Sequence, residues 1–248
     1  MNLTTLAGFL LVLVSAGLLG GITYLKRKST LHIRQIKAFS RLRNAIGRAV
    51  EAGSRLHVSL GHGSVTAPQG AASLVGLAAL RRLADMTSAG DKPPVASSGD
   101  AVVAILSQDT LQASFKDATA GGHYDATGGR LTGLTPFSYA AGAIPIMHDE
   151  QVSANVFMGN FGVEAGLLVD AAERQDEFTL TASDNLPAQA ILYANAQDPL
   201  IGEELFAAGA YLNSGPSHTA SLVVQDILRW LLIIIILGGA LLKLVGLL

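Results

Sequence analysis

The sequence predicts an α/β domain of Rossmann-like type, with a mostly parallel sheet, flanked by an N-terminal and a C-terminal transmembrane helix. Three observations carry this. Each end of the chain holds a long apolar run, the composition turns from basic to acidic near Leu56, and strand-like and helix-like stretches alternate between. An α+β arrangement is the alternative, because a glycine turn at Asn160 leaves room for an antiparallel pair.

Residues 3–25, LTTLAGFLLVLVSAGLLGGITYL, carry no charge and exceed the roughly 20 residues that cross a ~30 Å hydrocarbon core. Residues 227–248, ILRWLLIIIILGGALLKLVGLL, form the second run. Their charges, Arg229 and Lys243, lie near opposite ends, where long side chains reach the headgroups. A cleaved signal peptide needs basic residues ahead of the apolar core; MNLTT has none, and Lys26, Arg27 and Lys28 follow the core instead. The first run therefore reads as a retained anchor.

Charge also predicts orientation. From Lys26 to Arg55 there are nine basic residues, more than half of the 17 in the chain, against the single acid Glu51. The positive-inside rule keeps that segment in the cytoplasm. The expectation is a two-pass protein of the cell inner membrane, with its N-terminus outside and residues 56–221 cytoplasmic. The absence of cysteine removes any disulfide framework and any thiolate site.

Residues 26–55 read as a basic amphipathic juxtamembrane helix. Ile36, Phe39, Leu42, Ile46 and Val50 recur at three- and four-residue steps. Lys26, Arg27 and Lys28 precede them, and Arg34, Lys37, Arg41 and Arg48 gather on another face, so all seven are candidate membrane-surface residues. The same helix can instead lay its apolar face on the following domain with its basic face solvated. Both readings stand at this point.

From Leu56 to Ser221 six basic residues meet 17 acidic ones, a formal charge of −11. Such a surface excludes nucleic-acid binding by phosphate neutralisation. LHVSLG (56–61) reads as a strand, and PQGAASLVGLAALRRLADMTSAG as a helix. PPVAS is a short extended piece, and Ser98 or Asp100 caps a helix over AVVAILSQDTLQASFKDA. TAGGHYDATGG reads as a loop. RLTGLTPFSYAAGAIPIMHDE reads as one or two strands broken at Pro136 and Pro145. VSANVFMGNFGVEAGLLVDAAERQ reads as a strand, a turn and a further apolar run. EFTLTAS is an alternating strand, Asp184 or Asn185 caps LPAQAILYANAQ, and LIGEELFAAGAYL is the last helix.

Gly61-His62-Gly63 falls where a strand ends before a helix, the edge of an α/β sheet at which ligands bind. Ser64 and Thr66 add hydroxyls, and Thr66 stands at the third glycine position of a dinucleotide fingerprint. Ser98 and Asp100, and Asp184 and Asn185, follow their own strands at matching places. These nine residues are the candidate ligand-binding set; a tight turn at the glycines and helix capping at the rest explain them without a ligand. No Gly-x-Ser-x-Gly elbow supports a catalytic serine. His123, Asp125, His148, Asp149 and Glu150 have no metal-ligand spacing, so no catalytic residue, metal or cofactor is assigned.

The layout of an acidic α/β domain between a KRK-flanked span and an LLIIIILGG span resembles uncharacterised bacterial membrane proteins whose family has no assigned activity. The resemblance implies a membrane protein of unknown function and transfers no site. The leading expectation is a membrane-anchored scaffold or assembly protein that self-associates or joins a larger membrane complex. Its partners would be membrane lipids, further copies or complex subunits, and GLLGG (17–21) and GGA (238–240) would allow close helix contact. The alternative is a membrane-tethered domain that binds a nucleotide or small ligand, or an enzyme, through the strand-end loops.

Overall fold

The computed structural model describes residues 3–25, 34–88, 90, 92–119 and 126–246. The chain falls into two compact units, residues 1–34 with 213–248, and residues 35–212. In the first unit, helix α1 (Leu3–Leu25) is the uncharged apolar run and is long and apolar enough to cross a membrane. Lys26, Arg27 and Lys28 lie outside the described residues, as do His123 and Asp125.

The second unit opens with α2 (Lys37–Ala52), whose apolar side chains Phe39, Leu42, Ala45, Ile46 and Ala49 are buried in the core. That face is turned to protein. Lys37, Arg41 and Arg48 are exposed on the other, and Arg41 Nη1 reaches Asp198 Oδ1 at 3.1 Å.

Six strands then form one sheet: β1 (Arg55–Gly61), β2 (Val95–Ser98), β3 (Gly129–Leu131), β4 (Val152–Asn160), β5 (Phe178–Ser183) and β6 (Asp198–Leu200). Their order is β3-β2-β1-β4-β5-β6, and every neighbouring pair is parallel. Between them run α3 (Gly70–Thr87), α4 (Ala101–Thr119), α5 (Pro136–Asp149), α6 (Ala165–Glu173) and α7 (Leu186–Asn195). Helix α8 (Glu204–Tyr211) follows β6. This is a doubly wound α/β sheet, as the alternation of elements predicts.

The two faces of the sheet differ. Leu56, Val58, Leu60, Val156, Met158 and Leu180 join side chains of α2, α3, α4 and α8 in one apolar core. Alternate residues of the same strands point the other way, and there His57, Ser59, Asn155, Thr179, Thr181 and Ser183 are buried polar groups. That face is covered by Tyr139, Met147, Leu168 and Leu192 from α5, α6 and α7. Helix α3 approaches the sheet closely at Gly76, where an added Cβ would stand 2.3 Å from the Met158 carbonyl oxygen.

Three expectations are corrected. Residues 136–149 form helix α5, not broken strands. Pro136 occupies its first turn, where no N–H is needed, and Thr135 and Ser138 form a capping box. Pro145 lies inside the helix, which burial of Tyr139, Ala143, Ile146 and Met147 holds together. The apolar run after Asn160 is helix α6 and not a second strand, so no antiparallel pair forms and the α+β alternative falls. The last helix, expected from Leu200, begins at Glu204, and Leu200 instead ends β6, an edge strand where the missing N–H of Pro199 is tolerated.

The chain enters and leaves this unit at neighbouring points. Phe39 and Tyr211 stack at 4.8 Å between ring centroids, and Arg43 Nη2 donates to the Tyr211 carbonyl at 2.7 Å. Helix α9 (Pro216–Leu244) then completes the first unit and packs on α1. It is the second helix long and apolar enough to cross a membrane, and it begins well before Ile227, with Pro216 in its first turn.

Candidate functional site

The strand order reverses direction between β1 and β4, and in open α/β sheets that switch point opens a crevice at the strands' C-terminal ends. Gly61 ends β1 with φ +75°, a left-handed conformation that suits glycine, and an added Cβ there would meet the Asn160 carbonyl oxygen at 2.1 Å. Its N–H donates to the Tyr139 hydroxyl at 3.2 Å, and Tyr139 is also hydrogen-bonded to Ser59. Burial pushes the Tyr139 phenol up to about 12.

The loops at this edge are tied to one another. The Gly99 N–H donates to the Gly61 carbonyl at 2.8 Å, joining the β2 and β1 ends. The His62 N–H donates to the Asn160 carbonyl at 3.0 Å, joining β1 to β4. Asn160 Nδ2 donates to Asp184 Oδ1 at 2.7 Å, joining β4 to β5. Of the candidate set, Gly61, His62 and Asp184 are thus tied into one connected edge, with Gly63 and Asp100 next to its bonded residues in the chain. Ser64 and Thr66 bond to each other at 3.1 Å in the loop before α3. Asp100 caps α4 by accepting the Val103 N–H at 3.0 Å, while the Asp100 N–H donates to Ser98 Oγ at 3.1 Å. Asn185 stands at the N-cap of α7 without a side-chain capping bond.

The residue that sequence reasoning missed is Glu164. Its side chain is fully buried at the start of α6, and Oε1 accepts the Gly162 N–H at 2.7 Å. His62 Nε2 stands 3.0 Å from the same oxygen, close enough for an ion pair though off line for a good hydrogen bond. The carboxylate holds the imidazole above its ordinary value, against the opposing effect of burial. Burial pushes the Glu164 carboxyl up, but the contacts with His62 and the Gly162 N–H outweigh it and leave the group below its ordinary value. Oε2 has no hydrogen-bond partner among the described residues. Reading the stretch after GNFG as a helix start would have brought Glu164 to this edge.

A second polar group crosses the middle of the sheet. His57 Nδ1 lies 3.0 Å from Asn155 Oδ1 and His57 Nε2 lies 2.8 Å from Ser97 Oγ; Asn155 Nδ2 donates to Glu177 Oε2. That last bond turns the Asn155 oxygen toward His57, so Nδ1 carries the proton and Nε2 accepts from Ser97. Burial lowers His57 to about 4 and raises Glu177 to about 7. The chain from Ser97 to Glu177 joins β2, β1 and β4 to the residue just before β5 and is enclosed, so its role is to hold the sheet. At the strands' other end, Glu150 pairs with Arg55 at 2.9 Å and with Arg130. An apolar cavity lies near the start of β2, between Thr87, Pro94, Leu111 and Phe115, away from the switch point.

These features define a class: a doubly wound α/β domain within a chain whose two terminal helices are long and apolar enough to cross a membrane. The chain belongs to the family described as a domain of unknown function, DUF6754, which it matches over residues 1–248. No match to a curated protein or to a solved structure was found.

Proposed function

We propose that this protein is a membrane-anchored assembly module whose α/β domain, in the cytoplasm, joins a membrane complex through the C-terminal edge of its sheet. One observation carries the reading. Apart from Tyr193, every exposed large apolar side chain of this unit among the described residues sits at a strand's last residue, in the loop that follows it or in the first turns of the next helix. Leu131 ends β3 and Leu134 and Phe137 follow it, Val163 and Leu167 follow β4, and Leu186 follows β5; Leu134, Phe137 and Leu186 are 72%, 63% and 77% exposed. Exposed apolar side chains gathered at one end of a folded sheet, with few elsewhere, support an interaction site there.

The test is the mass of the full-length protein extracted from its own membranes in mild detergent, against a Leu134→Ser/Phe137→Ser variant. Assembly through this edge predicts a complex larger than the monomer that the variant dissolves. A monomer at every concentration, with nothing co-purifying, counts against the reading. Orientation is tested separately, since the chain has no cysteine. A cysteine at exposed Asp109 should react with an impermeant maleimide only after the cells are opened; reaction in intact cells reverses the orientation.

A second reading, a small-ligand domain, is favoured by the switch-point crevice and the linked loops. Against it, the space beside Gly63 and Gly99 is filled by Asn160, Ser73 and His62 rather than left open. Thermal stabilisation by a nucleotide or metabolite, lost in Gly63→Val, would favour it over assembly.

A further inference from the structure

The edge that carries the apolar side chains holds no Lys or Arg. From the end of each strand through the first turn of the helix after it, the six segments contain Asp100, Glu164, Asp184, Glu203 and Glu204, and His62 is the sole residue there able to become cationic. Helix N-termini at this edge offset part of that charge. Asp100 is engaged as the cap of α4 and Asp184 with Asn160.

Glu164 differs. It is fully buried, and Oε2 has no hydrogen-bond partner among the described residues. A carboxylate offers about four acceptor sites, and a buried acceptor left open is costly. The side chain paired with it, His62, is partly exposed and imperfectly aligned. An enclosed anion of this kind, beside Val163 and Leu167, calls for a strong donor supplied from outside.

We propose that the occupant of this edge is a basic amphipathic polypeptide segment. Its apolar side chains cover Leu134, Phe137, Val163 and Leu186, and one Lys or Arg side chain replaces His62 as the partner of Glu164. This rests on the assembly reading and names the chemistry of the partner. A second copy docking by the same edge would set acid against acid, and an anionic lipid surface would meet the same repulsion.

The experiment uses the full chain in zwitterionic nanodiscs and two fluorescent synthetic helices with the same leucine face, one bearing lysines and the other glutamines. The lysine helix should bind about tenfold tighter than the glutamine helix, a difference of about 1.4 kcal/mol. Glu164→Gln should abolish that preference, whereas Asp109→Asn, which removes an equal charge from the exposed face of α4, should keep it. His62→Ala should widen it, because the competing imidazole is gone; this opposite sign guards against reading a misfolded Glu164→Gln as support.

Equal binding of the two helices overturns the proposal, as do equal losses in Glu164→Gln and Asp109→Asn or a narrowed preference in His62→Ala. Capture by anionic vesicles in place of either helix also overturns it. If Leu134→Ser/Phe137→Ser weakens both helices while Glu164→Gln changes nothing, this inference falls and the assembly reading stands. If the rim variant weakens neither, both fall.

Discussion

Replacing Asn155 by Leu keeps the branched shape and the number of side-chain heavy atoms at the centre of the sheet and removes both of its side-chain bonds. His57 Nδ1–H loses its acceptor and Glu177 Oε2 loses its donor, and both residues are buried. Each buried group left without a partner costs about 1–3 kcal/mol, so the substitution should cost about 2–6 kcal/mol. That is a large part of the roughly 5–15 kcal/mol that holds a domain folded. The chain lacks cysteine, so Ala154→Cys, at a fully buried position of β4, supplies a clean reporter. Under native conditions its labelling rate follows the population of opened molecules, and Asn155→Leu should raise it by about 30-fold to 10⁴-fold. An increase below about threefold would refute the account of the polar chain.

The pH dependence gives a second reading of the same chain. His57 is lowered from 6.5 to about 4, so its contribution is complete above about pH 6.5 and is lost as pH falls toward 4. The amount is about 3 kcal/mol. Glu177 is raised from 4.5 to about 7, so its contribution is complete below about pH 4.5 and is lost as pH rises toward 7. The two slopes oppose each other between about pH 4.5 and 6.5, and the labelling rate, divided at each pH by that of an unprotected reference thiol to remove the change in thiolate fraction, should be nearly flat there. In His57→Leu only the Glu177 slope remains, and opening should increase as pH rises across that window.

Two further substitutions probe how the elements are held. Gly76→Ala places a methyl group 2.3 Å from the Met158 carbonyl, so α3 must shift from the sheet; a loss of about 1–3 kcal/mol is expected by the same labelling assay, and an unchanged rate would deny the close approach. Thr135→Ala removes the capping box of α5 and should cost about 0.5–2 kcal/mol, with Thr135→Ser retaining most of the stability; equal loss in both would show that the hydroxyl is not what matters.

Much of the fold was legible because its signals are local. The alternation in EFTLTAS, the Asp100 cap before α4 and the apolar terminal runs each follow from neighbouring residues. Helix α5 was misread because two prolines were taken as breakers, although Thr135 and Ser138 already carry the signal of a helix start. The Gly61-His62-Gly63 edge could be placed from its own residues. Its partner Glu164 could not, because the stretch after GNFG reads only as a further apolar run with no helix start marked in it. The pairing of His57 with Asn155 joins residues 98 positions apart, and only the register of two parallel strands brings them together.

The stacking of Phe39 on Tyr211 has a mechanical consequence. A pull that separates the two ends of the α/β unit meets the contact between α2 and α8 before it meets any strand. Strands β1 and β6 are not adjacent in the sheet, so no single ladder lies directly between the pulled ends. Tension along the backbone would therefore loosen α2 and α8 first and leave the sheet, with its polar chain and its apolar edge, intact until later in the extension.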